Sequence, residues 1–306
     1  MLQRGAASAP FPFESPIMTR IIENLSEISS GYDAMFVDLW GCVHNGREPF
    51  LEAVAALRQY RESGGIVVLV TNAPRHRKSV AAQLTKIGVP DDCWDTIATS
   101  GDSARAAMYR GTVGSKVFYI GEAHDQSFFD PLHIIENPVE IEKVPLDAAE
   151  GIVCTGPFDP HAAPSDLRPQ LLYAKQKGLK LLCANPDIVV DRGEVREWCA
   201  GAVAALYTEM GGESLYFGKP HPPIYDLARR RLAQIAEIAD ERILCIGDGM
   251  ETDIRGAMGE NLDSLFITGG LAAQETRTTR QPDPDALNTL LDKVKIAPPF
   301  AIGFLR

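Results

Sequence analysis

Met35-Phe36-Val37-Asp38-Leu39-Trp40-Gly41 is an apolar run that ends on an acid and then a glycine, and Ile243-Leu244-Cys245-Ile246-Gly247-Asp248-Gly249 repeats the pattern far downstream. Short, wholly apolar runs of this kind suit strands buried on both faces, as in a parallel sheet covered by helices. Outward from these two, further runs read as strands at 66–70, 116–120, 151–154, 179–183, 215–217 and 264–267. Between them lie segments with apolar residues at helical spacing, over 50–63, 78–87, 167–177, 195–210 and 224–238. Gly64, Gly88, Gly178 and Gly211 stand where left-handed helix stops are expected. Strand and helix alternate from one end to the other, so the class is α/β.

Composition narrows the function. The 306 residues suffice for one large domain or two ordinary ones, and 45% hydrophobic with 23% charged is a globular balance. Lys and Arg number 30 against 41 Asp and Glu, a formal charge of −11, and no basic run offers a phosphate backbone a landing site. Nucleic acid is therefore not expected as a partner. No stretch approaches the roughly 20 apolar residues needed to span a bilayer. Cys42, Cys93, Cys154, Cys183, Cys199 and Cys245 are scattered without a C-x-x-C pair, which argues against a zinc or redox motif and fits a reducing cytoplasm. The segment up to Met18 is broken by Pro10, Pro12 and Pro16 and reads as a loose arm rather than a leader.

In parallel sheets, ligands bind beyond the carboxyl ends of the strands, so the residues just past each run carry the chemistry. Those positions hold Asp38, then Thr71-Asn72-Ala73-Pro74-Arg75, then Gly218-Lys219-Pro220, then Gly247-Asp248-Gly249-Met250-Glu251-Thr252-Asp253. A hydroxyl, an amide and an ammonium suit a phosphate, and acids crowded in one loop are relieved by a divalent cation. No calcium-loop spacing is present, which favours Mg²⁺ held by few carboxylates. Taken singly, each element has a plainer reading. Asp38 could cap its loop, Thr71-Asn72 could be turn chemistry, Lys219 could be solvated, and Asp253 could cap the helix it opens.

Together and in this order, Asp38-Leu39-Trp40-Gly41-Cys42-Val43, Val70-Thr71-Asn72, Gly218-Lys219-Pro220 and the loop from Gly247 to Asp253 resemble the motifs of the haloacid dehalogenase superfamily. Cys183-Ala184-Asn185-Pro186-Asp187 and Lys219-Pro220-His221-Pro222 resemble its subclass IIA, the nucleotide, sugar, glycerol and pyridoxal phosphate phosphatases. The resemblance implies a Rossmann-like parallel-sheet core with an inserted α/β cap, divided as core 1–99, cap 100–188 and core 189–306. It further implies that Asp38 attacks phosphorus. Mg²⁺ would rest on Asp38, the Trp40 main-chain carbonyl, Asp248 and Asp253, with Lys219 and Thr71 neutralising the transferred group. By the same analogy, two copies could pair through the cap as a homodimer.

One departure matters. Phosphatases of the superfamily carry a second aspartate two residues after the nucleophile, and this chain has Trp40, whose indole N–H only donates. General acid–base help of about 10²–10⁴ in rate is then unaccounted for. Three readings stay open: a phosphatase of good leaving groups, one in which His44 or another group supplies the proton, and a related hydrolase of C–X bonds. Arg75, Asn72, Asn185 and Asp187 are candidate contacts to substrate, the last two where cap meets core, though Asn185-Pro186-Asp187 also reads as a turn. The expected activity is Mg²⁺-dependent hydrolysis of a small phosphorylated metabolite. The competing expectation is a phosphate-ligand binding or regulatory protein with little turnover.

Overall fold

The computed structural model describes residues 19–131, 137–192 and 195–306, so the segment before Met18 lies outside the described residues. The chain opens with β1 (Arg20–Ile21) and β2 (Ala34–Val37), followed by α1 (Leu51–Glu62), β3 (Ile66–Thr71), α2 (Arg77–Ile87) and β4 (Thr96–Thr99). After α3 (Ser100–Tyr109) come β5 (Lys116–Ile120), β6 (Glu142–Lys143), β7 (Gly151–Cys154), α4 (Arg168–Gln176) and β8 (Lys180–Cys183). A hairpin, β9 (Val189–Arg192) with β10 (Val195–Trp198), precedes α5 (Ala200–Glu209) and β11 (Glu213–Tyr216). The last stretch holds α6 (Pro222–Leu232), β12 (Ile243–Gly247), α7 (Arg255–Gly259), β13 (Asp263–Ile267), α8 (Pro284–Val294) and β14 (Phe300–Ile302).

Two parallel sheets result. The larger has the order β1-β14-β13-β12-β2-β3-β4, and the smaller β11-β8-β7-β5-β6. In the larger sheet successive residues face opposite sides, and both sides are dry. Met35 and Val37 of β2 pack towards Val54 and Leu57 of α1 and Val80 and Leu84 of α2. Ala34 and Phe36 pack towards Ile224, Tyr225 and Ala228 of α6. Each Val, Leu, Ile, Phe or Met side chain among these, taken from water, contributes about 1.5–3 kcal/mol, and this is what fixes the strand ends in place. The smaller sheet has its own core, with Leu171 of α4 and Val203 and Tyr207 of α5 on one face and Ala104 and Met108 of α3 on the other. The glycines expected to stop helices, Gly64, Gly88, Gly178 and Gly211, all have positive φ.

Two expectations are corrected here. The strand near 216 pairs with β8, Leu215 opposite Leu182, and so belongs to the smaller sheet. β11 is a short edge strand with one exposed and three half-buried residues, and so short an apolar run carries no mark of which sheet it joins. Residues 195–198, expected as the start of a helix, form β10 antiparallel to β9, with Val189 opposite Trp198. Their β-branched and aromatic residues favour the pleat over the helix once a partner strand is adjacent. Among the described residues no helix is long and apolar enough to cross a membrane, and the six cysteines are free and buried.

Candidate active site

The strand order of the larger sheet turns between β12 and β2, since the chain builds outward from β2 to β3 and β4 on one side and from β12 to β14 on the other. A sheet opens a crevice at such a point. Asp38 and Asp248 follow these two strands, and the Asp38 N–H extends the ladder to the Ile246 carbonyl at 2.8 Å. Their carboxylates lie within 4.8 Å of each other and of the Cys42 thiol.

Two glycines make this approach possible. Gly41 has φ +76°, where side chains are strained, and a Cβ there or at Gly270 would collide with the Asp248 carboxylate. The Leu271 N–H donates to Asp248 Oδ2 at 3.0 Å. Lys219 arrives from the turn after β11, only 3% exposed, its ammonium donating at 2.6 Å to Asp38 Oδ1 and at 2.6 Å to Asp253 Oδ1. Asp253 Oδ2 accepts the Gly249 N–H at 3.1 Å. Both oxygens of Asp253 are thus engaged, and among the described residues it is not one of the donors that converge with Asp38 and Asp248.

Charge is unbalanced. Burial works against the Lys219 ammonium, but Asp253 and Asp38 outweigh it and hold its pKa above the ordinary lysine range. Burial first, and then the neighbouring Asp253 and Asp248 against the pull of Lys219, push Asp38 well above the usual carboxylate range. Asp248 is pushed up to about 7 by burial and by Asp253. One ammonium does not neutralise this many buried acids, so the cluster fits a cation. Burial and the two acids also raise the Cys42 thiol, which therefore offers no thiolate. The remaining donors are oxygens, which select a hard ion such as Mg²⁺.

Thr71 is buried, and its Oγ1 accepts the Ala73 N–H at 3.3 Å, a contact that does not use the hydroxyl proton. Asn72, expected on the substrate, is committed elsewhere. Its Oδ1 accepts the Lys219 N–H at 2.7 Å, while its Nδ2 donates to the Lys219 carbonyl at 3.1 Å and to Asp187 Oδ1 at 2.8 Å. A buried amide must find partners, and these tie the end of β3 to the lysine turn and to the turn after β8. Gly218 is where the segments meet, since a Cβ there would strike Asn72, Pro186 and Ser100. Asn185 Oδ1 accepts the Asp187 N–H at 3.0 Å, the turn reading of Asn-Pro-Asp.

Trp40 lies over Gly46 and edge-on to His44, ring centroids 5.3 Å apart. His44 is 3% exposed, accepts the Gly46 N–H on Nδ1 at 3.0 Å, and has its pKa pushed down to about 4 by burial. A neutral imidazole of this kind does not serve as a cationic acid near neutral pH. Asp38, Asp248, Lys219, Thr71, His44 and Arg75 border a cavity of about 930 Å³ between the sheets. Its far wall includes Glu122, Thr155, Asp187, Ile188 and Trp198. Sequence reasoning singled out only Asp187 among these, because wall residues share no motif and meet only when the smaller sheet stands over the larger.

Comparison with known proteins agrees with the geometry. Residues 35–134 match a family model described as haloacid dehalogenase-like hydrolase, and residues 216–293 a HAD-hydrolase-like model. The crystal structure of a haloacid dehalogenase-like family hydrolase from Brucella suis 1330 is 39% identical, covers 94% of this chain and 100% of that one, and superposes with a TM-score of 0.82. The D-glycerol 3-phosphate phosphatase of Mycobacterium tuberculosis is 27% identical over 81% of this chain and 66% of its own length. A structure of glycerol phosphate phosphatase from that organism in complex with magnesium is 26% identical, covers 85% of this chain and 78% of that one, and has a TM-score of 0.60. With paired acids and a buried lysine at the switch point of its sheet, this chain belongs to the haloacid dehalogenase-like hydrolases.

Proposed function

We propose that the protein is a phosphatase of small phosphomonoesters, working through an aspartyl-phosphate on Asp38. The observation that carries this reading is the Lys219 ammonium at 2.6 Å from Asp38, beside the Asp38 and Asp248 pair on the floor of a roofed cavity. Asp38 attacks phosphorus and splits hydrolysis into two transfers. Lys219 and the Thr71 hydroxyl face the transferred group and offset its charge, the main task in phosphoryl transfer. Asp253 holds Lys219 from the other side. Mg²⁺, resting on Asp38, Asp248 and the Trp40 carbonyl, with Asp253 nearby, would supply positive charge at the transferred oxygens. Related proteins named for glycerol phosphate and ribonucleotide substrates support the substrate class.

The cap is proposed to run from α3 to β11, about residues 100–217, with the core on either side. It recognises the organic part of the substrate and excludes water, while the core handles phosphate. Trp40 favours a second reading, a phosphate-ligand binding protein that turns over poorly. The test is release of inorganic phosphate from p-nitrophenyl phosphate, acetyl phosphate and glycerol phosphate, with and without Mg²⁺. The phosphatase reading expects Mg²⁺-dependent turnover that Asp38→Asn abolishes. Phosphate binding without turnover of any of the three would favour the second reading.

A further inference from the structure

We propose that Asp187 is the proton carrier of this site, the carboxylate that replaces the acid absent at Trp40; the inference rests on the phosphatase reading. In-line displacement sends the leaving oxygen away from the attacking one. Asp38 attacks from the floor of the cavity, so the leaving oxygen departs towards the cap. A carboxylate that serves it must stand on the cap side and yet be held in register with the core.

Asp187 meets both conditions. It follows β8 of the smaller sheet and borders the cavity. Its Oδ1 is held at 2.8 Å by the Asn72 amide, the same amide that grips the Lys219 backbone through both its oxygen and its nitrogen. Asp187 is thus referenced to the lysine that touches the nucleophile. Its own backbone is fixed by the turn onto Asn185 Oδ1 at 3.0 Å. The other acids near the floor are committed: Asp253 to Lys219, Asp248 beside Asp38, and Glu251 to Arg255 at 2.6 Å. His44 and Trp40 are excluded by their chemistry, as argued above.

The electrostatics agree. Burial raises the Asp187 pKa above the usual range, opposed by Lys219 and the Asn72 hydrogen bond and reinforced by Asp253. Asp187 in turn adds its charge to the causes, burial first, that raise Asp248 and the Cys183 and Cys199 thiols. In the first transfer the bond between phosphorus and the ester oxygen breaks. Its electron pair goes to that oxygen, which takes the proton of Asp187 and leaves as the alcohol. In the second, the Asp187 carboxylate takes a proton from water as the water oxygen bonds to phosphorus and the Asp38 oxygen leaves. Inorganic phosphate is released, and Asp187 is protonated again.

The test is the isosteric Asp187→Asn, whose side-chain oxygen can still accept from Asn72, in the full-length protein with saturating Mg²⁺. Pre-steady-state kinetics on p-nitrophenyl phosphate, whose leaving group needs no acid, should show a burst of nitrophenolate at nearly the wild-type rate. Turnover should then be slowed about 10²-fold or more as the aspartyl-phosphate accumulates. On glycerol phosphate, whose leaving group needs the acid, the burst itself should vanish. Trp40→Asp in the Asp187→Asn background should restore at least tenfold of the glycerol phosphate rate, which no repair of packing would do. Equal losses in burst and turnover on both substrates, without rescue, would make Asp187 a structural clasp and overturn the assignment. Unchanged kinetics would overturn it as well, leaving the phosphatase reading intact. Failure of the wild type to hydrolyse either ester would overturn both.

Discussion

Replacing Lys219 by methionine keeps an unbranched side chain in place and removes the ammonium that faces two buried acids. Asp38 and Asp253 each lose a charge-assisted hydrogen bond of 2.6 Å in a site where the lysine is 3% exposed. Removing one partner of a buried pair costs about 3–5 kcal/mol, a large part of the roughly 5–15 kcal/mol that holds a domain folded. The loss should depend on pH. A carboxylate whose folded pKa lies above its unfolded value lends stability at low pH that fades as pH rises through the folded value. Asp38 is already raised, and without the lysine it rises further. Urea unfolding of Lys219→Met without metal should therefore show the full penalty at pH 8 and a smaller one at pH 5. Adding Asp253→Asn should recover part of it, because the remaining acid no longer faces a like charge. A penalty below about 1 kcal/mol at pH 8, or the same penalty at both pH values, would refute the charge arrangement described here.

Asp248→Asn should stabilise the metal-free protein at pH 8 by up to about 4 kcal/mol, since a carboxylate raised from 3.8 to about 7 no longer has to ionise there. The same variant should lose the Mg²⁺-induced rise in Tm, and calorimetry reads both effects. Gly41→Ala places a Cβ against Asp248 at φ +76°, so it should cost at least about 1 kcal/mol in urea unfolding and weaken Mg²⁺ binding in titration calorimetry. For His44, the folded pKa of about 4 lies below the unfolded value of 6.5, so its contribution is complete above pH 6.5 and fades as pH falls towards 4. Wild type should lose about 3 kcal/mol more than His44→Gln between pH 7 and pH 4, measured by urea unfolding; equal losses would place the titration elsewhere.

Much of the larger sheet was legible because its signal is local: β2, β3, β12 and β13 are apolar runs, the first three leading into residues that carry chemistry, and any reader of periodicity meets them. The short strands β1 and β14, at one end of the sheet, give no such run, because two or three residues cannot show a period. The place of β11 was hidden for a different reason. Leu215 is an apolar strand residue whichever sheet it joins, and only its pairing with Leu182 tells the smaller sheet from the larger.

The same division runs through the site. Residue type announced Asp38, Lys219 and Asp248, since a buried charge at a strand end needs a reason. It could not announce Asn72 as a clasp, because an asparagine that grips phosphate and one that grips a backbone are identical in sequence. What decides between them is the partner within reach, and the nearest partners are Lys219 and Asp187, both far away along the chain. Asn72 therefore acts on the chemistry indirectly. It holds the lysine of the core and an acid of the cap on one amide, so the two are positioned together only while the smaller sheet is seated on the larger. On the proposed reading, in which the first loop lacks its acid and Asp187 replaces it, that shared amide would make closure of the cap the step that completes the site.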